Sequence, residues 1–197
     1  MRTGRQQRGA QLSRPWSWRA ATLLLVGVLS LVAGPDQGWC HVTDTDMPDA
    51  VAETEYQILL EFEPGRTEVR NKLAMVLLRK KKYDEAEKEL RTVLTTEPAN
   101  HNALEGLGLV MVQTGRVREA VDQFLLAIKA NPQDVMVHYH LGQAQEKLGD
   151  HQAARKSFSQ ALDLASQPAA NPTPASDLAA IRQALEQNAG QHPSPAK

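Results

Sequence analysis

Apolar positions in this chain recur with two periods at once. Within a short stretch they return every three or four residues, as Leu104, Leu107 and Met111 do, which lays a stripe along one face of a helix. Over longer distances the pattern itself returns every 34 residues. Pro64, Pro98 and Pro132 keep that interval, as do Ala86, Ala120 and Ala154, and Leu73, Leu107 and Leu141. A small residue follows that leucine each time, at Ala74, Gly108 and Gly142. Leu90, Phe124 and Phe158 fall in step, and so do Val93, Ala127 and Ala161. Six columns holding one period across three units establish an internal repeat.

The columns predict a pair of antiparallel helices in each unit, with units at 67–100, 101–134 and 135–168. Gly115 and Gly149 fall between the two helices, where a tight turn needs the left-handed backbone that glycine adopts freely. The small residues at Ala120, Ala154, Gly108 and Gly142 are expected where two helices meet closely. Pro98 and Pro132, which have no N–H, end the second helix. One unit cannot bury its apolar face alone, so the three must stack. The fold class that follows is all-α, an α-solenoid of three helix-turn-helix repeats.

Further helices are predicted at both ends. Ala52, Tyr56, Leu59 and Pro64 occupy the columns of a preceding half unit, so the segment 41–66 should carry a capping helix over about 48–62. Downstream, Ser166–Ala175 is rich in proline and reads as a linker, with its boundaries drawn at 169–176. Ser176 then caps a helix at 177–190 whose Leu178, Ile181 and Leu185 share one face, shielding the last repeat. Residues 191–197 are expected to be disordered.

This period and these columns resemble the tetratricopeptide-repeat family, whose unit runs Trp-x2-Leu-Gly-x2-Tyr, then Ala-x3-Phe, then Pro. Leu107, Gly108, Ala120, Phe124 and Pro132 match it in the second unit, and Leu141, Gly142, Gly149, Ala154 and Phe158 in the third. Arg70, Leu104 and His138 replace the tryptophan, while Leu77, Met111 and Gln145 replace the tyrosine. The resemblance implies a concave groove lined by the first helix of each unit. At 100° per residue, unit positions 2, 5, 9, 12 and 13 lie roughly opposite the packed stripe. They place Asn71, Met75, Leu78, Leu109, Val112, Gln113, Met136, Tyr139 and Gln143 on the groove, rimmed by Glu68, Arg79, Asn102, Glu105, Glu146 and Lys147. The apolar members suggest a docking strip, and Met-containing strips adapt to varied ligands. The implied ligand is a protein or peptide. A carboxylate clamp of the kind some family cochaperones carry is not expected, because Asn71, Met75, Gly106, Met136 and His140 stand at its positions.

Charge changes the picture at the N-terminus. Arg2, Arg5, Arg8, Arg14 and Arg19 face one acid, Asp36, within the first 40 residues. An apolar run, Ala20–Gly34, follows them. The run is shorter than the ~20 residues a spanning helix needs and fits the core of an export signal. Cleavage fits after Ala33 or after Cys40, which makes 1–40 the signal and the mature chain periplasmic or extracellular. Left uncleaved, the same segment would anchor the chain in a membrane. From His41 onward acids exceed bases, 22 to 17, so no electrostatic reason for binding nucleic acid remains.

Candidate chemistry is sparse. Cys40 is the only cysteine, so neither an intrachain disulfide nor a Cys/His nucleophile is expected. No phosphate-cradling loop, serine-hydrolase elbow or His-Glu-x-x-His is present in the sequence. His138 and His140 point about 200° apart on a helix and cannot share a metal. Arg79–Lys82, the densest cationic run, is expected to face Asp84, Glu85 and Glu87 across a solvated turn. The expected protein has no catalytic residues, cofactor or metal. It is an exported scaffold or adaptor gripping a partner segment in an envelope, secretion or maturation assembly, with a self-associating structural role as the rival and an accessory subunit of an enzyme as the further alternative.

Overall fold

The computed structural model describes residues 48–167 and 173–191. Eight helices make up the described residues: α1 (Asp49–Phe62), α2 (Thr67–Arg79), α3 (Tyr83–Thr96), α4 (His101–Gln113), α5 (Val117–Ala130), α6 (Val135–Lys147), α7 (His151–Ala165) and α8 (Ala175–Gln191). Each helix packs on the next, and α2, α4, α6 and α8 also touch in succession. The result is a stack of helix pairs, an all-α solenoid. The segment 1–40 expected to be an export signal, the end of the tail and residues 168–172 of the linker lie outside the described residues.

Local chemistry sets the ends of these helices. Asn100 and Asp134, one repeat apart, cap α4 and α6 by accepting the N–H of Ala103 and of Met136 and Val137. Asp150 accepts from Ala153 N and caps α7. The turns inside the second and third units carry Gly115 at φ 82° and Gly149 at φ 80°. The corresponding turn of the first unit puts Lys81 at φ 61°, a conformation that costs a side-chain-bearing residue about 1–2 kcal/mol. The helix α8 starts at Ala175, two residues earlier than the sequence suggests. Its first turn bonds back to the Pro174 carbonyl, and Ser176 lies inside that turn instead of capping it.

The repeated columns form the core. Ala86, Ala120 and Ala154 are fully buried, as are Val93, Phe124, Ala127 and Ala161, with Leu90 1% exposed. The two glycines have a more specific task than letting backbones approach. A Cβ built on Gly108 would lie 2.5 Å from the Phe124 ring, and one on Gly142 would lie 2.5 Å from the Phe158 ring. Each aromatic ring of the second helix therefore rests on the bare backbone of the first. The first unit has Ala74 and Leu90 in these columns, a larger floor beneath a smaller lid.

Ion pairs add a column that hydrophobic spacing does not reveal. Glu53 binds Lys82 at 2.7 Å and also Lys80. Glu87, 34 residues on, binds Arg116, which is 34 residues beyond Lys82. The same lock thus occurs twice, tying α1 to the turn of the first unit and α3 to the turn of the second. Arg79 bonds Asp49 at 2.6 Å. The cationic run faces α1 in the main, with only Lys82 near one acid of α3, Glu85, at 3.7 Å. The reason is geometric, since the turn projects over the preceding helix.

Candidate partner-binding groove

The first helices of the units, together with α8, line one face, which carries two adjoining clefts. The larger, about 710 Å³, is lined by Leu109, Val112 and Gln113 of α4, by Tyr139, His140, Gln143, Glu146 and Lys147 of α6, and by one side of α8. Phe124 and Phe158 form its floor. Ring centroids step along that floor from Phe124 to His140 at 6.0 Å, to Tyr139 at 5.7 Å and to Phe158 at 5.9 Å. Tilted contacts at such distances are favourable ring arrangements. Gln183 and Gln187 of α8 stand opposite Gln143, all exposed.

The smaller cleft, about 480 Å³, lies toward α1 and contains Asn71, Met75 and Arg79 beside Glu68, Asn102 and Glu105. A polar pair joins the two clefts. His140 Nδ1 donates to Glu105 Oε1 at 3.1 Å, with both side chains 18% exposed. His138 points elsewhere, its Nε2 on the Pro132 carbonyl at 3.1 Å. Arg70, in the same repeat position, donates to the Pro64 carbonyl at 2.9 Å. That contact gives a structural reason for polar residues in the family's tryptophan column. Among the described residues no group of three or more His, Cys, Asp or Glu side chains could hold a metal ion.

The expected groove residues divide into three groups. Leu109, Val112, Gln113, Tyr139 and Gln143 come together in the larger cleft, and Met75 and Asn71 in the smaller. Leu78 and Met136 line neither; Leu78 packs against the main core instead. Asn71 is a correction to the solvent-facing expectation, being 8% exposed and bonded to Asn100 through its amide nitrogen at 3.1 Å. Leu109 and Tyr139 are half-buried against the core, so they are shared between the groove and the fold.

Sequence reasoning missed the α8 wall altogether. Ile181 is fully buried with Val135, Ala161 and Leu164, and it lies 40 residues after Leu141. Allowing six extra residues in the linker puts Ile181 in the leucine column, and Gln183 and Gln187 then fall at groove positions 9 and 13. The far end of α8 is fixed by Asn188, 2% exposed. Its Nδ2 donates to Glu146 Oε2 at 2.5 Å and to the His151 carbonyl at 3.1 Å, while Arg155 donates to its Oδ1 at 3.1 Å. Among the described residues no helix is long and apolar enough to cross a membrane.

Comparison with known proteins agrees with this architecture. A family model described as tetratricopeptide repeat matches residues 71–135 and again 112–171, together just over half of the chain. Cellulose synthase operon protein C of Escherichia coli K12 is 30% identical over 117 residues, 59% of this chain but 10% of that protein. The chain therefore spans about a tenth of the curated relatives it matches. The crystal structure of MamA superposes with a TM-score of 0.60 at 17% identity, over 75% of this chain and 79% of that one. PcrH, solved in complex with the chaperone-binding region of PopD, gives 0.57 at 21% identity over 63% and 91%. At these identities both likenesses establish the fold.

Proposed function

The chain belongs to the tetratricopeptide-repeat family, and on that premise we propose that it is an exported adaptor holding a segment of a partner protein in its concave groove. The observation that carries this reading is the larger cleft, an aromatic floor between exposed amide walls with room for several side chains. Apolar surface ringed by polar groups favours docking, because burying it releases water while the rim keeps its hydrogen bonds. The absence of any catalytic constellation from the sequence fits a role in binding.

The Arg-rich start followed by Ala20–Gly34 supports export, and an envelope, secretion or maturation assembly is the proposed setting. The likeness in fold to PcrH, solved with part of PopD, and the match to a protein of a cellulose synthase operon are in keeping with it. N-terminal sequencing of the native protein should find a start between Gly34 and Val42. A mature cytosolic chain still beginning at Met1 contradicts export. For the groove, a photo-crosslinking residue at Gln143 in the native host should capture a distinct partner polypeptide. Capture of a second copy of this chain alone would favour the structural, self-associating role.

A further inference from the structure

The two ends of the stack are finished differently. On α8, the side turned away from the buried Ile181 carries Ser176, Ala179, Gln183 and Glu186, all exposed. That is the polar outer face a terminal helix needs in water. At the other end, among the described helices, α1 packs on α2 alone. Its outward side carries Val51, Ile58 and Phe62, spaced by seven and four residues and so aligned in one stripe. They are 53%, 47% and 59% exposed. Among the described residues the other exposed large apolar side chains are Leu125, Leu126 and Leu148, so α1 alone turns an apolar stripe to the outside. Exposed apolar surface of this kind marks a place where something docks.

Charge decides what fits there. Glu55 and Glu61 border the stripe, one on each side, both exposed and neither holding an ion pair among the described residues. The other acids of this end are already matched, Asp49 by Arg79, Glu53 by Lys80 and Lys82, and Glu63 by Arg66. We propose that the outer face of α1 is a second docking surface, separate from the concave groove, for an amphipathic helix of a partner protein with basic residues along both edges of its apolar stripe. The apolar contact supplies the attraction, and Lys or Arg on the edges meets Glu55 and Glu61 as water leaves. A second copy fits less well in either orientation. Stacked tail to head, it would bury Gln183 and Glu186 of α8 against an apolar stripe, which is costly. Packed antiparallel on α1 itself, with Val51 against Phe62, it would set the two Glu55 carboxylates side by side. An anionic lipid surface is repelled by the same acids.

The test selects helices from a display library on the protein purified from its native host. Library members share a leucine stripe at helical spacing, and the positions on both edges vary among Lys, Gln and Glu. Winners should carry Lys on both edges and should bind the variant Gln113→Glu, Gln143→Glu and Gln187→Glu as well as the wild type. Ile58→Ser with Phe62→Ser should weaken them about tenfold or more. Both side chains are exposed, so that variant should melt like the wild type; Phe62→Ser alone repeats the test if it does not. Glu55→Lys with Glu61→Lys should weaken Lys-edged winners about tenfold at low salt, and the same helices with Glu on their edges should then bind instead. Winners without a charge preference, winners indifferent to both pairs of substitutions, or no winners at all overturn the proposal. Winners lost only on the triple glutamine variant belong to the groove and overturn it too, while leaving the groove reading intact. Light scattering gives the last arm. A dimer of the native protein that Ile58→Ser with Phe62→Ser dissolves would assign the stripe to a second copy and overturn the basic helix.

Discussion

At Gly108 the absence of one methyl group decides how two helices fit. The Phe124 ring occupies the place a Cβ would take and is itself fully buried, so it cannot swing aside into solvent. Gly108→Ala should cost about 1–3 kcal/mol by overpacking, read as a lower melting temperature. Adding Phe124→Leu reproduces the Ala74 and Leu90 pairing of the first unit and should recover part of that loss. Two losses that merely add would show that the ring and the glycine do not share one space. Lys81 offers the opposite experiment. Its φ of 61° stands where the other units have glycine, so Lys81→Gly should raise stability by about 1 kcal/mol. An unchanged or lower melting temperature would mean that the turn gains more from the lysine than its backbone loses.

Among the elements, the end helices α1 and α8 differ in how they are held. The lock on α1 is ionic. Hydrogen bonds from Lys80, and next from Lys82, hold the Glu53 carboxyl below its ordinary value of 4.5. Arg116 lowers Glu87 likewise, against the opposing effect of burial. A lowered carboxyl gives stability that is complete above the ordinary value and is lost as pH falls through the lowered one. Glu53→Gln should therefore melt below the wild type at neutral pH, and the difference should vanish once acid protonates Glu53. A gap that persists in acid would assign the loss to packing. The sequence showed these elements unequally. Repeated columns are legible because one packing rule is written three times, whereas the lock is written only at 53/82 and 87/116. The α8 helix itself is legible in the sequence, but its repeat register is not, since six extra linker residues displace Ile181 from the leucine column. Asn188 follows no period, and its role depends on three groups far away in the chain.

On the scale of the whole molecule, stacking makes a face that no single unit possesses. Helices α4, α6 and α8 each contribute a few side chains to the larger cleft, and the Phe124 and Phe158 rings close its floor from behind. Helical spacing put Leu109, Val112, Tyr139 and Gln143 on one face, and all four line the larger cleft. It overestimated their freedom, since Leu109 and Tyr139 also pack into the core, and a charge there would test folding as much as binding. The exposed amides are the cleaner probes. Gln113→Glu, Gln143→Glu and Gln187→Glu together keep the shape of the cleft, and the new carboxylates stay solvated in the free protein. A bound segment would bury them without counter-charges, which is costly, and central positions of an interface commonly carry about 2 kcal/mol or more each. The decisive measurement is the affinity of the triple variant for the partner captured at Gln143, taken beside its melting curve. A loss of about a hundredfold or more with an unchanged melting temperature is the predicted result. Wild-type affinity in the intact variant would contradict the account and move the binding site off the concave face.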